Sequence, residues 1–189
     1  MPNISSTELH ALMHDIAIYN SESSYKKMFT ALFSTLFSFS YNMLKCREQA
    51  EEVASDVMFT LWQKRKELIE VENIKVYALV VTRNLSLNAV KKNATLRVVS
   101  LNDLNIAGTR QALNPEEMLI ISQNKSKLQL SINALPARCK LVFKLIKEEG
   151  LSYKEVGEIL NISSKTVDAH LVAAMKKLSE ALRTSLYCA

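Results

Sequence analysis

Apolar residues recur at spacings of three and four through most of the chain, which is the pattern of helices that bury one face. Polar turns interrupt this pattern and divide it into eight predicted helices. They span residues 6–19, 25–44, 48–65, 74–92, 115–135, 136–150, 153–160 and 164–183. The 189 residues include only three glycines and three prolines, so few positions break a helix. The pattern predicts an all-α fold.

One long polar segment separates these helices into two groups. Residues 93–115 are rich in asparagine, carry Gly108 and end at Pro115, so they predict a flexible linker. The sequence therefore predicts two small helical domains, residues 1–92 and 116–189. Pro115 and the two glutamates that come after it are typical of a helix start.

Charge is distributed unevenly along the first domain. The formal net charge is +5, which permits a polyanionic partner without requiring one. Between Lys45 and Glu72 there are seven acidic and five basic residues, whereas between Lys75 and Ser100 there are five basic residues and no acidic one. This segregation indicates two different partners, one of them polyanionic.

The fourth predicted helix presents amides among cations. These residues are Asn84, Asn88, Lys91 and Lys92, and at helical spacing they share roughly one face. Amides beside cations suit unpaired bases next to phosphates. A solvated basic helix end would show the same pattern, so this face alone does not decide between the two.

The third predicted helix has a second face besides its apolar one. Glu52, Asp56, Phe59 and Gln63 succeed one another at spacings of four, three and four. An exposed phenylalanine between carboxylates is expected on a partner-binding surface. A solvated face with one stray apolar residue explains the periodicity equally well.

Residues 151–171 form the most specific pattern in the chain, a helix-turn-helix. Ser152 with Glu155 three residues later predicts a capping box. Gly157 provides a small residue where two helices cross closely, and Asn161 suits the left-handed turn. The buried side of the second helix is predicted to be Val167, Leu171, Ala174 and Leu178. Its first exposed side chains are predicted to be Ser164, Lys165, Asp168, Ala169 and His170, positions that read base edges in the major groove.

The sequence contains no pattern that indicates catalysis or a bound cofactor. It shows neither a glycine-rich phosphate loop nor a nucleophile elbow, and no catalytic carboxylate pair is marked. His10 and His14 lie four apart but have no third ligand nearby, so no metal is expected. Three widely spaced cysteines predict reduced thiols in the cytoplasm. No signal peptide or membrane-spanning run is recognised, so we expect a cytoplasmic protein that does not insert into membranes. Because no catalytic pattern is present, we do not expect an enzyme.

Three ordered motifs resemble the extracytoplasmic-function (group IV) sigma factors of bacterial RNA polymerase, over about Leu9 to Leu186. Residues 48–62, EQAEEVASDVMFTLW, resemble the family's core-binding helix. Residues 76–92, VYALVVTRNLSLNAVKK, resemble its segment that melts and reads the −10 element. Leu135-Pro136 and the later LSYKEVG resemble the run that precedes its −35-reading helix.

The resemblance implies a role for each site. The family's contacts with the β′ clamp helices fall on Glu52, Ser55, Asp56 and Phe59. Its flipped-base capture falls on Asn84, and Asn88, Lys91 and Lys92 adjoin it. The −35 helix carries Ser164, Lys165, Asp168, Ala169 and His170, while Lys176 and Lys177 reach phosphates or the β flap. Implied partners are core RNA polymerase, promoter DNA and an anti-sigma factor.

Some positions depart from the family pattern. Ser55 and Asp56 replace a frequent Gln and Glu, and Val76 and Ala78 lie where aromatic residues are common. Promoter melting would then depend more on Tyr77. The function implied is an alternative sigma factor that directs promoter-specific initiation.

Two other classes compete with this interpretation. A LuxR-type helix-turn-helix regulator has a similar recognition helix, but the acidic helix resembling a core-binding segment argues against it. A helical module that sequesters a regulator would bind no DNA, and Lys165 and His170 at the start of a recognition helix argue against that class.

Overall fold

The structure is a computed structural model that describes residues 4–100 and 129–187, with side chains for residues 4–92 and 129–181. Its α-helices are α1 (Ser6–Tyr19), α2 (Glu22–Leu44), α3 (Arg47–Gln63), α4 (Ile74–Ser100), α5 (Ala137–Phe143), α6 (Tyr153–Leu160) and α7 (Ser164–Tyr187). A 3₁₀ turn at Glu67–Glu70 precedes α4, and a π-helical turn at Lys144–Glu148 comes after α5. The all-α prediction is confirmed over the described ranges.

Serine caps set the start of the first two helices. The Ser5 side chain accepts a hydrogen bond from the backbone N–H of Glu8 at 3.1 Å. Ser21 does the same for Ser24 at 3.2 Å, so α2 begins at Glu22, earlier than the predicted residue 25. A serine that caps a helix satisfies an amide that has no intrahelical partner.

The end of α4 differs from the prediction. The polar composition predicts that the linker begins at residue 93, but the backbone stays helical to Ser100. The reason is local: the first helix-breaking residue after α4, Gly108, comes later, so polar composition alone did not end the helix. The predicted linker from 101 onward lies outside the described residues, as does most of the helix predicted over 115–135. Of that helix, residues 129–133 are described and helical.

Helices α1 to α4 pack into one bundle around the residues that the periodicity marks as apolar. Met28, Leu32 and Leu36 of α2 are buried against Val57 and Leu61 of α3 in the same core. The spacing of apolar residues predicts that Phe29, Leu32, Phe33, Leu36 and Phe37 face inward. Leu32 and Leu36 are buried, but Phe29 is 36% exposed and Met28 is buried instead. Ser40 of α2 and Ser86 of α4 are both buried and share a hydrogen bond of 3.0 Å.

The two predicted domains share this core over the described residues. Val142 and Leu145 of the α5 segment, and Val156 and Ile159 of α6, belong to the same apolar cluster as the first bundle. A smaller cluster lies between α5 and the middle of α7. Its buried members are Ile132, Leu135, Cys139, Ala174 and Leu178. Helices α4 and α6 therefore form a buried seam between the two parts of the chain.

Membrane insertion was not expected from the sequence. Among the described residues, no helix combines the length and the apolar character that crossing a bilayer requires.

Candidate nucleic-acid and polymerase interfaces

Local sequence signals fix the helix-turn-helix. The predicted capping box is present: the Ser152 side chain accepts from the backbone N–H of Glu155, and the Ser152 N–H donates to the Glu155 carboxylate at 2.8 Å. Asn161 ends α6 with a φ of 54°, in the left-handed region. Ser163 caps α7, because its Oγ accepts from the N–H of Thr166 at 3.1 Å. These caps fix where α6 begins and ends and where α7 begins.

Gly157 is required by a close approach of the turn. A Cβ at this position would lie 2.8 Å from the backbone oxygen of Ile162. The Ile162 N–H also donates to the Gly157 carbonyl at 3.0 Å. The predicted close crossing is confirmed, although the group that approaches is the backbone of the turn rather than the next helix.

The predicted buried side of α7 is confirmed, since Val167, Leu171, Ala174 and Leu178 are all buried. On the opposite side Ser164, Lys165, Asp168 and Ala169 are exposed at the start of the helix, and Lys176 and Lys177 are exposed two turns later. The exposed side of α7 therefore carries hydrogen-bond donors and positive charge, as expected of a helix that binds in the major groove.

His170 is oriented differently from the other four positions. It is half-buried, its Nδ1 lies 3.8 Å from the Cys139 Sγ, and it lines a groove of about 490 Å³ to which α2, α4, α5 and the end of α6 also contribute. Leu87 and Arg83 of α4 line the same groove. The structure therefore places His170 toward the seam rather than beside Lys165.

On α4, the four predicted DNA-contacting residues all lie on the surface. Asn84, Asn88, Lys91 and Lys92 are exposed. The Asn84 Oδ1 accepts two hydrogen bonds from the neighbouring Arg83 guanidinium, at 3.2 Å and 2.9 Å. The amide NH₂ of Asn84 stays on the exposed face, and its carbonyl oxygen is engaged by Arg83.

On α3, the predicted polymerase-binding residues form one exposed acidic face. Glu52, Ser55 and Asp56 are exposed, and Phe59 is 58% exposed beside them. Behind this face Trp62 is half-buried. Its ring packs edge-on against Tyr25 at 5.1 Å and lies under the Arg65 guanidinium at 4.7 Å. The Tyr25–Trp62 contact packs α3 against α2.

Several contacts at the seam had no sequence signal. Lys75 of α4 pairs with Glu149, and Asn73 bonds Glu155, although 74 and 82 residues separate the partners. Such pairs depend on the tertiary arrangement. Lys75 lay within the basic stretch that the sequence singled out, but nothing there indicated its partner.

His10, considered for a metal, lies 2.8 Å from the Ile69 carbonyl through its Nε2.

Glu155 is held as a carboxylate by its partners. Burial raises its pKa, but hydrogen bonds from the Ser152 side chain and backbone and from Asn73, together with the Lys75 charge, outweigh burial and leave the pKa below its ordinary value. A depressed folded-state pKa gives stability that is present above the unfolded value of 4.5 and is lost as pH falls through the folded value.

We therefore expect the free energy of unfolding to decrease as pH is lowered below about 4.5, in part through Glu155. Replacing Glu155 by Gln, which keeps a capping oxygen, should reduce that decrease. Urea titrations followed by circular dichroism at about pH 7 and about pH 3.5 measure it. Glu158→Gln, at an exposed position on the same helix, is the matched control. An equal loss on acidification in wild type and Glu155→Gln would contradict this role.

Comparison with known proteins matches both halves of the chain. Residues 28–95 match the sigma-70 region 2 family, and residues 125–178 match the sigma-70 region 4 family. The first match contains α3 and the exposed face of α4, and the second contains the helix-turn-helix. The chain belongs to the sigma-70 family, and within it to the extracytoplasmic-function group.

Individual relatives agree with this assignment. The chain is 28% identical over 102 residues to the ECF RNA polymerase sigma factor SigE of Mycolicibacterium smegmatis, a match that covers 54% of this chain and 40% of that protein. The aligned part thus spans less than half of the relative's length.

Two solved structures share the fold. The sigma factor RpoE of Bartonella quintana, in complex with the anti-sigma factor NepR, matches with a TM-score of 0.63 and 20% identity, covering 85% of this chain and 98% of that one. CnrH, in complex with the cytosolic domain of CnrY, matches with a TM-score of 0.60 and 12% identity, covering 94% and 98%.

Proposed function

We propose that this protein is an alternative sigma factor, which binds core RNA polymerase and directs it to a specific set of promoters. The observation that carries the proposal is that one chain contains regions 2 and 4 in order, each with an exposed face of the matching chemistry. The LuxR-type alternative gains no support, because a regulator of that kind does not need the region 2 match at residues 28–95.

The acidic face of α3 is the proposed docking site for the β′ clamp helices of core polymerase. Glu52, Ser55, Asp56 and Phe59 are its four contacts. Charged residues at its rim steer the encounter, and the exposed Phe59 ring provides apolar area to bury. The interaction is tested by mixing the purified protein with bacterial core polymerase and running gel filtration. Co-elution at equimolar ratio is expected, and separate elution of two active components would count against docking.

The exposed face of α4 is the proposed site for the −10 element. The Asn84 amide captures an unstacked base, while Asn88, Lys91 and Lys92 hold the adjoining backbone. Capturing a flipped base offsets an unstacking cost of a few kcal/mol and so stabilises the open complex. The protein itself catalyses no step, since its contribution is binding.

The start of α7 is the proposed site for the −35 element. Ser164, Lys165, Asp168, Ala169 and His170 face the major groove, and Lys176 reaches a phosphate or the β flap. For His170 this role requires the side chain to leave the groove beside α4.

Lys165→Ala tests the −35 role. It should weaken binding to the −35 duplex by about 1–3 kcal/mol and relax specificity at one base pair if Lys165 reads a base. Lys176→Ala is the matched comparison, because loss of a phosphate contact weakens all sequences similarly and lowers the salt dependence. Fluorescence anisotropy with promoter and scrambled duplexes distinguishes the two. Unchanged promoter affinity in the folded Lys165→Ala protein would remove this residue from the reading face.

The remaining features of the proposal come from the family. An anti-sigma factor is the proposed regulator, in keeping with the relative RpoE, which was crystallised with one. Action on core polymerase places the protein in the cytoplasm.

A further inference from the structure

Val172 of α7 is an apolar residue whose side chain is on the surface. It is 60% exposed, and among the described residues it belongs to neither of the two apolar clusters. Valine also has a lower helix propensity than alanine, because its branched side chain loses rotamer freedom in a helix. Neither the core nor the stability of α7 therefore accounts for a valine at this position.

Val172 lies at the centre of the exposed side of α7. Successive residues of a helix are rotated by about 100°, so Lys165, Ala169, Val172 and Lys176 fall within about 60° of one another. All four are exposed, and together they are called the α7 stripe below. Along the helix their side chains follow the order cation, methyl, isopropyl and cation. The α7 stripe is therefore an apolar patch with a lysine at each end.

The dimensions of B-DNA assign different parts of the α7 stripe to bases and to phosphates. A helix rises about 1.5 Å per residue, so Val172 lies about 10 Å and Lys176 about 16 Å beyond Lys165. The major groove is about 12 Å wide. A helix that enters the groove by its N-terminal end thus keeps Ala169 and Val172 over the bases, whereas Lys176 reaches the phosphates at the edge.

The apolar patch matches one base in particular. Thymine presents a C5-methyl group in the major groove, whereas adenine, guanine and cytosine present hydrogen-bond donors and acceptors there. An apolar side chain against those polar groups would remove their water and provide no partner, which is unfavourable. Against a thymine methyl group, the same side chain excludes water from two apolar surfaces, which is favourable. The lysines at the two ends of the patch supply the positive charge that attracts the DNA backbone.

We propose that Val172, with Ala169 beside it, is a specificity-determining contact that selects thymine in the −35 element through its methyl group. The inference rests on the proposed function, because it names the base that the −35 site selects. Val172 thereby joins the residues assigned to that site. The thymine lies on the side of the element nearer to the phosphates that Lys176 contacts.

Deoxyuridine tests this contact, because replacing thymidine by deoxyuridine removes the methyl group and leaves the hydrogen bonds of the base pair unchanged. The preferred −35 sequence is first selected from randomised duplexes by the full chain bound to core polymerase. Each thymidine of that sequence is then replaced in turn, and affinity is measured by competition. At one or two positions the replacement should weaken wild-type binding by about fourfold, the value for burial of one methyl group.

Variants at position 172 connect this effect to one side chain. Val172→Ser should bind the thymidine and deoxyuridine duplexes equally, whereas Val172→Ile should keep the preference for thymidine. Met175→Ser is the matched control, because Met175 is also apolar and is 46% exposed on the same helix. It lies about 90° around the helix from the centre of the α7 stripe and about 15 Å beyond Lys165, so the preference should stay at the wild-type value. Circular dichroism checks that each variant is folded.

The outcomes separate this inference from the proposed function. A selected sequence in which no thymidine is sensitive to replacement overturns the thymine contact and leaves the −35 role in place. The same holds if Val172→Ser keeps the wild-type preference. Weaker binding of Val172→Ser to core polymerase, with an unchanged preference for thymidine, would show a protein contact instead. If no sequence is enriched although the chain is folded and the polymerase is active, the proposed −35 role and this inference both fail.

Discussion

Asp56→Arg should abolish the ability of this protein to compete for core RNA polymerase. Asp56 lies at the centre of the exposed acidic face of α3, between Glu52 and Phe59. If the acidic face binds a surface of complementary charge, as proposed, reversing the charge of Asp56 brings like charges together, and like charges at an interface cost several kcal/mol. We expect affinity to fall by about 100-fold or more. Competition against a labelled sigma subunit for limiting core measures it.

The control must separate charge from position. Glu70→Arg makes the same charge change at an exposed site in the 3₁₀ turn, outside the α3 face, and should compete as wild type does. Circular dichroism should show both variants folded, because neither side chain contributes to the core. Wild-type competition by a folded Asp56→Arg protein would refute the docking face.

Gly157→Ala should destabilise the helix-turn-helix and abolish −35 binding. Alanine has a higher helix propensity than glycine by about 1 kcal/mol, so propensity alone predicts a more stable protein. The added Cβ would lie 2.8 Å from the Ile162 carbonyl oxygen, a backbone atom that cannot move aside as the end of a flexible side chain can. Overpacking of this kind costs about 1–3 kcal/mol, so the clash should outweigh propensity.

Thermal denaturation followed by circular dichroism measures the effect, together with anisotropy on a −35 duplex. Glu158→Ala, on the next residue of α6, is exposed and gives the effect of alanine without the clash. A Gly157→Ala protein that melts higher than wild type would mean that the turn yields to the methyl group. The turn between α6 and α7 would then not be the tightly closed one described above.

The parts of the fold that the sequence predicts well are those set by local signals. Ser152 and Glu155 lie three residues apart and form a capping box, and Asn161 ends the helix where a left-handed residue is needed. These interactions need only neighbouring residues, so they can be read from a short stretch of sequence.

Periodicity locates a helix better than it orients one. On α2 the aromatic residues were expected inside, but Phe29 stacks on Phe33 at 4.8 Å along the edge of the helix and Met28 is buried instead. Apolar residues at spacings of both three and four form two overlapping stripes, and packing against α3 selects between them. The end of α4 was predicted too early for a related reason. Polar residues indicate that a segment is exposed, not that a helix ends.

The contacts at the seam between α4 and α6 could not be predicted from the sequence. Nothing near Lys75 or Glu149 indicates that they meet, because the pair exists only when two distant segments are brought together. The orientation of His170 has a similar origin: its position on α7 is exposed in an isolated helix and becomes half-buried in the fold, where its Nδ1 lies 3.8 Å from the Cys139 Sγ of α5. The candidate site residues on α3, α4 and α7 could therefore be predicted for each helix separately. The packing of α4 against the helix-turn-helix could not be predicted.

The most direct test of the proposed sigma function is transcription in vitro. The purified protein is added to bacterial core polymerase and genomic DNA, and the run-off transcripts are sequenced. We expect discrete new start sites that share −10 and −35 elements, and their loss with Asp56→Arg. Transcripts identical to those of core polymerase alone, from folded protein and active core from the same source, would contradict that function.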